Sequence, residues 1–212
     1  MEQLADVFVA CRDTAHALTR ESLKNGIRLR ALVSVATDTA HFADGVLSEL
    51  DREYHPPLAC RERCSYCCQK PGVLTSIPEV ARILDHVHST FSRDAVSALA
   101  GRARRYAAQI AGRDVTIPIG EAVPCPLLED DRCSVYEVRP LTCRGFNSTS
   151  VDACRDANTN VDRLVPIFSP LKDATDAITI GASRALEAAG CDSGLVDLGS
   201  ALDSALCEGQ RV

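Results

Sequence analysis

The chain has 212 residues, 46% of them hydrophobic, so it can bury a real core and disorder is not expected. A net charge of −6 and a pI near 5.4 argue against an extensive phosphate-binding surface, because affinity for nucleic acid rests on clustered Lys and Arg. Aromatics make up 4% of the chain and Trp is absent, while Ala, Leu and Val dominate; such side chains favour helix packing over sheets. The expected class is therefore mainly α.

Residues 2–20 place Leu4, Val7, Phe8, Cys11, Ala15 and Leu18 at three- and four-residue intervals, the period of one helical face. A turn at Asn25-Gly26 leads to a second stripe, Leu29, Leu32, Val33, Ala36, Ala40, Ala43, Leu47 and Leu50. Together they predict a helical hairpin, which either packs on the chain's own core or pairs with a protein partner or a second copy. His55-Pro56-Pro57 ends it, since a residue before Pro avoids helical angles.

Ser76-Ile77-Pro78-Glu79 is a capping box opening a helix that buries Val80, Ile83, Leu84 and Val87. Another helix is predicted over 93–111, with Val96, Leu99, Ala103, Ala107 and Ile110 inward and Arg102, Arg104 and Arg105 toward water. Val115 to Ile119 is short and β-branched, as in a strand fragment. Residues 120–150 read as a metal-folded loop, and final helices are expected at about 170–189 and 193–207. The predicted organisation is a helical hairpin over 1–54, a cysteine-bearing metal core over 55–160 and C-terminal helices over 161–212, forming a single metal-stapled helical domain with irregular cysteine-bearing loops.

The opening residues lack a basic region followed by an apolar run, and no stretch approaches the length of a membrane span. A cytoplasmic location without membrane contact is expected, and in that reducing compartment metal ligation is the better reading of clustered thiols than disulfides.

Eight of the eleven cysteines fall between 60 and 154. Cys60, Cys64, Cys67 and Cys68 stand within nine residues, and the adjacent pair Cys67-Cys68, whose side chains diverge, points to two metals or one polynuclear cluster. Cys125, Cys133, Cys143 and Cys154 supply enough further thiolates for two four-ligand sites. The Cys60, Cys64, Cys67 spacing also serves radical enzymes that bind a four-iron cluster, but no preceding strand and no run of βα units accompanies it here. Cys11, on an apolar stripe, and the isolated Cys191 and Cys207 read as core or surface thiols. None of the five histidines carries a ligand signal.

Bound thiolates need nearby cations, and Arg61, Arg63, Lys70, Arg132, Arg139 and Arg144 all lie close to cysteines in sequence. Arg139 and Arg144, bracketing Pro140 and Cys143, are the two expected in buried, cofactor-contacting roles. Tyr136 and Glu137 read as a packed turn.

The order C-x3-C-x2-C-C, then Cys125-Pro126, then Cys133-Ser134-Val135-Tyr136-Glu137-Val138-Arg139-Pro140-Leu141-Thr142-Cys143-Arg144 and a later cysteine, resembles the YkgJ-type cysteine-cluster proteins. The resemblance implies zinc or iron chelation, or an iron–sulfur centre, with Cys60, Cys64, Cys67, Cys68, Cys125, Cys133, Cys143 and Cys154 as ligands. The reading takes an iron–sulfur cluster ahead of zinc, used in electron transfer or cluster-assisted redox chemistry by an oxidoreductase or an accessory protein. The alternatives are a structural zinc module that presents the hairpin to a partner, and a protein that stores or delivers metal.

Overall fold

The two apolar stripes of the N-terminal region become helices α1 (Glu2–Leu23) and α2 (Leu29–Tyr54). A computed structural model describes residues 2–115 and 121–208. His55 caps α2 in the left-handed region, at φ 44°, its amide donating to Asp51 O, and Pro56-Pro57 then carries the chain away extended.

The hairpin packs along α7 (Ser169–Ala188). Contact is so close that a Cβ on Gly181 would lie 2.0 Å from the carbonyl oxygen of Arg12, so glycine is required there. Cys11 and Ala15 of α1, Ala43 and Leu50 of α2, and Leu171, Ala174 and Ile178 of α7 form one buried core. The apolar stripe of α1 is thus covered by the chain itself.

A second core joins α3 (Ile77–Thr90), α4 (Arg93–Ile110) and α8 (Leu198–Glu208) through Ile83, Val87, Leu99, Ala103, Leu198 and Leu202. The capping box is formed as predicted: the carboxylate of Glu79 accepts from Ser76 N at 2.8 Å, and one oxygen also takes the Thr75 and Ser76 hydroxyls.

Two short antiparallel pairs complete the described secondary structure. Strand β1 (Leu74–Ser76) pairs with β4 (Leu195–Asp197), Thr75 opposite Val196. This corrects the helix expected over 193–207: β4 takes its first residues, and α8 begins only after Asp197, whose Oδ1 accepts from Ser200 N at 2.9 Å. The loop expected over 120–150 is also more ordered than predicted. It holds the hairpin β2 (Leu128–Glu129) and β3 (Arg132–Cys133), a 3₁₀ turn at Tyr136–Val138 and helix α5 (Leu141–Gly145), followed by α6 (Val151–Asp156). Asp130 and Asp131, both at positive φ (48° and 61°), make the tight turn between β2 and β3, a conformation that Asp tolerates better than most residues. The strand expected over 115–119 falls, beyond Val115, outside the described residues.

The cysteine-bearing segments lie where the two helical layers meet. Leu127 and Val135 enter the α3–α4–α8 core, whereas Leu141 enters the α1–α2–α7 core. Each apolar side chain so buried contributes about 1.5–3 kcal/mol.

Candidate metal centre

Two stretches of irregular chain are laced together by their backbones. Ala59 N donates to Ser148 O at 2.8 Å, Cys125 N to Cys68 O at 2.7 Å, and Val123 N to Gln69 O at 2.9 Å. Side chains add a clasp at the other end: the Ser65 hydroxyl donates to Asp131 at 2.7 Å, and Arg132 pairs with Glu62 at 2.6 Å. Thiols far apart in sequence are thereby held on facing walls.

The helices behind hold these walls in place. Arg102 of α4 donates from Nε to Pro126 O at 2.7 Å and pairs with Glu129, which fixes the Cys125-Pro126 bend. Arg102 is therefore not part of the solvated face predicted for α4. Buried Tyr106 accepts from Gly72 N at 3.1 Å and donates to Asp197 Oδ2 at 2.8 Å, tying the end of the first cysteine loop to the start of α8. Gly72 must be glycine: it sits at φ +88°, and a Cβ there would stand 2.2 Å from Val115 O.

All eleven cysteines are free thiols. Seven of the eight clustered ones, Cys60, Cys64, Cys67, Cys68, Cys125, Cys133 and Cys143, line one open cavity of about 900 Å³. Cys154 does not line it; it is buried on α6, close enough to Cys60 to oppose that thiol's ionisation. Cys60 and Cys67 are exposed toward the open space, while the protein around their thiols still keeps enough water away to desolvate them.

The thiols resist ionisation. Burial pushes Cys125 up to about 12, and it raises Cys133, Cys143 and Cys60 as well, with neighbouring sulfurs adding to each. Cys67 is raised chiefly by its hydrogen bond with Cys68 and then by burial. Cys67 also bears on Cys60, Cys125, Cys133 and Cys143, and Cys154 bears on Cys60, so sulfurs of the two stretches lie within electrostatic reach of one another. A cation in the cavity reverses this logic, since a coordinating thiol is deprotonated outright.

Residues 59–163 match the family model described as "CxxCxxCC: Putative zinc- or iron-chelating domain". The chain belongs to this cysteine-cluster family. No curated protein and no solved structure is significantly similar to it.

The chelating domain begins one residue before Cys60 and encloses all eight clustered cysteines, leaving α1, α2, α7 and α8 outside. Its donor set suits a soft or borderline metal, being all sulfur. The thiols ring the cavity rather than converge: among the described residues no three Cys, His, Asp or Glu side chains gather as a single-ion site requires.

The two arginines expected at the cofactor differ. Arg139 lines the cavity, its guanidinium 3.8 Å above the Tyr136 ring and donating to Tyr136 O. Arg144 stands one layer back. Its buried guanidinium donates to Arg139 O at 2.9 Å, to Glu137 O at 2.6 Å, and to both carboxylate oxygens of Asp44 on α2. It thus shapes the turn bearing Arg139 without reaching the thiols. Cys11 lies in the α1–α2–α7 core, Cys191 packs near Leu186, and Cys207 meets Arg104. Sequence reasoning missed Arg102, Tyr106, Ser65 and Asp131; only the paired aspartates of the β2–β3 turn carried a local signal.

Proposed function

We propose that the chelating domain holds a polynuclear metal–sulfur centre, an iron–sulfur assembly ahead of zinc, used in electron transfer or cluster-assisted redox chemistry. The proposed ligands are Cys60, Cys64, Cys67, Cys68, Cys125, Cys133, Cys143 and Cys154, with Cys67 central to the set. One observation carries this reading: seven thiols from two distant stretches of chain line the same cavity. Eight thiols exceed the four donors that a lone tetrahedral ion takes at about 2.0–2.3 Å, which favours several metals over one. Such a centre supplies one-electron chemistry or a Lewis-acidic metal.

The chain's own residues do the rest. Leu127 and Leu198 give the cavity an apolar wall that lowers the local dielectric, and Arg139 brings positive charge to the sulfurs. Two divalent ions on eight thiolates add four negative charges to a chain already at −6, so that cation matters. Arg144 positions Arg139 by holding its carbonyl.

The test is anaerobic purification of the full chain with metal analysis, acid-labile sulfide determination and an absorption spectrum. Iron, sulfide and a visible charge-transfer band are expected. Colourless protein containing zinc alone overturns the iron–sulfur assignment, and Cys67→Ser protein with unchanged metal content overturns the ligand assignment.

A further inference from the structure

We propose that the thiol-lined cavity also binds a small organic anion, an apolar or aromatic body carrying a carboxylate or phosphate, beside the metal. The inference rests on the metal-centre reading above and gives that centre a ligand class.

Size is the first argument. Metal–sulfur bonds of about 2.3 Å confine a metal and its ligands to a fraction of the space, and a cavity of about 900 Å³ lies at the upper end of the range for small-molecule pockets.

Charge is the second. Arg61, Arg63 and Lys70 line the cavity, and among the described residues no hydrogen bond or ion pair engages the charged side chain of any of the three. The other two lining cations are engaged: Arg132 with Glu62, and Arg139 with Tyr136. Five lining cations face three lining carboxylates, Glu62, Asp131 and Glu137, an excess of two positive charges before the thiols ionise. Two divalent ions on the thiolates leave the lining negative as a whole, so an oxyanion is held by Arg61, Arg63 and Lys70 directly rather than by the field of the cavity. Guanidinium groups bind carboxylate and phosphate through paired donors.

The apolar lining is the third. Phe146 and Tyr136 are 39% and 57% exposed and both line the same cavity, offering ring surface to an apolar body.

The test uses metal-loaded full-length protein, with metal content measured on the same sample, titrated by fluorescence with 2-naphthoate, 1-naphthyl phosphate and neutral 2-naphthamide. Saturable binding of an anion but not of the amide is expected, and the tighter of the two anions identifies the headgroup. The triple variant Arg61→Gln, Arg63→Gln, Lys70→Gln should bind the anion at least about tenfold more weakly at an unchanged metal-to-chain ratio. Equal affinity for the amide, unchanged affinity in the variant, or absence of saturable binding overturns the anion site. So does loss of metal from the variant, because the cations then serve the thiolates instead. Metal analysis of the unsubstituted chain judges the metal-centre reading separately: anion binding by a chain that holds no metal keeps the site and removes the centre.

Discussion

The α1–α2–α7 layer and the cysteine-bearing layer are held by different forces. In the first, long helices bury Ala15, Ala43, Ala174 and Ile178 almost completely, and backbone approaches backbone at Gly181. In the second, elements of two to six residues are joined by a handful of hydrogen bonds, and the thiols face open space. The first layer closes on its own apolar side chains, whereas the second presents seven thiols to a cavity.

Metal removal should separate the layers most. A structural metal site contributes about 10 kcal/mol or more to the folding of a small domain, so a strong chelator should raise hydrogen exchange at the Cys125 amide by about 100-fold or more while α1 and α7 stay protected. Equal loss in both layers would break the comparison. Ile178→Ala should do the reverse: about 3 kcal/mol lost in denaturant unfolding, with metal content unchanged. A drop in metal would show that the layers are energetically one.

The bridge between the layers is next in size. Asp44→Asn removes the carboxylate facing buried Arg144; because Asp44 is itself 48% exposed, the expected cost is only about 2 kcal/mol, read as a lower thermal midpoint. Tyr106→Phe leaves Gly72 N and Asp197 short of a partner and should cost about 1.5 kcal/mol, with faster exchange at Gly72 rather than in α1. Glu62→Gln should cost less than about 0.5 kcal/mol, since the Glu62–Arg132 pair is solvent-exposed; a larger loss would mean that the clasp carries the cysteine layer.

The first layer was also the more legible one. Its stripes at 3.6-residue period and the Asn25-Gly26 turn are local signals, as is the Ser76–Glu79 capping box of α3 outside that layer, and each sits where it was read. The eight cysteines were equally visible, because reactive residues at close spacing need no fold to be counted. Pairings between distant segments were not visible: nothing in Leu195-Val196-Asp197 announces Leu74–Ser76 as its partner, so a strand was read as helix. Arg139 and Arg144 carry the same charge and flank the same cysteine, and the partners that hold Arg144 back from the cavity, Asp44 and the carbonyls of Glu137 and Arg139, show only in the fold. Arg102 looked solvated because the carbonyl it meets belongs to another element.

The matched segment shares its cores with helices that lie outside it. Leu141 is seated among side chains of α1, α2 and α7, while Leu127 and Val135 rest against α8, and all four of these helices lie beyond residues 59–163. Excised on its own, the segment would keep α3 and α4 around Leu127 and Val135 but would lose α8 from that core, and Leu141 would have no socket at all. Transplanting its chelating capacity into another scaffold therefore requires the flanking helices to travel with it.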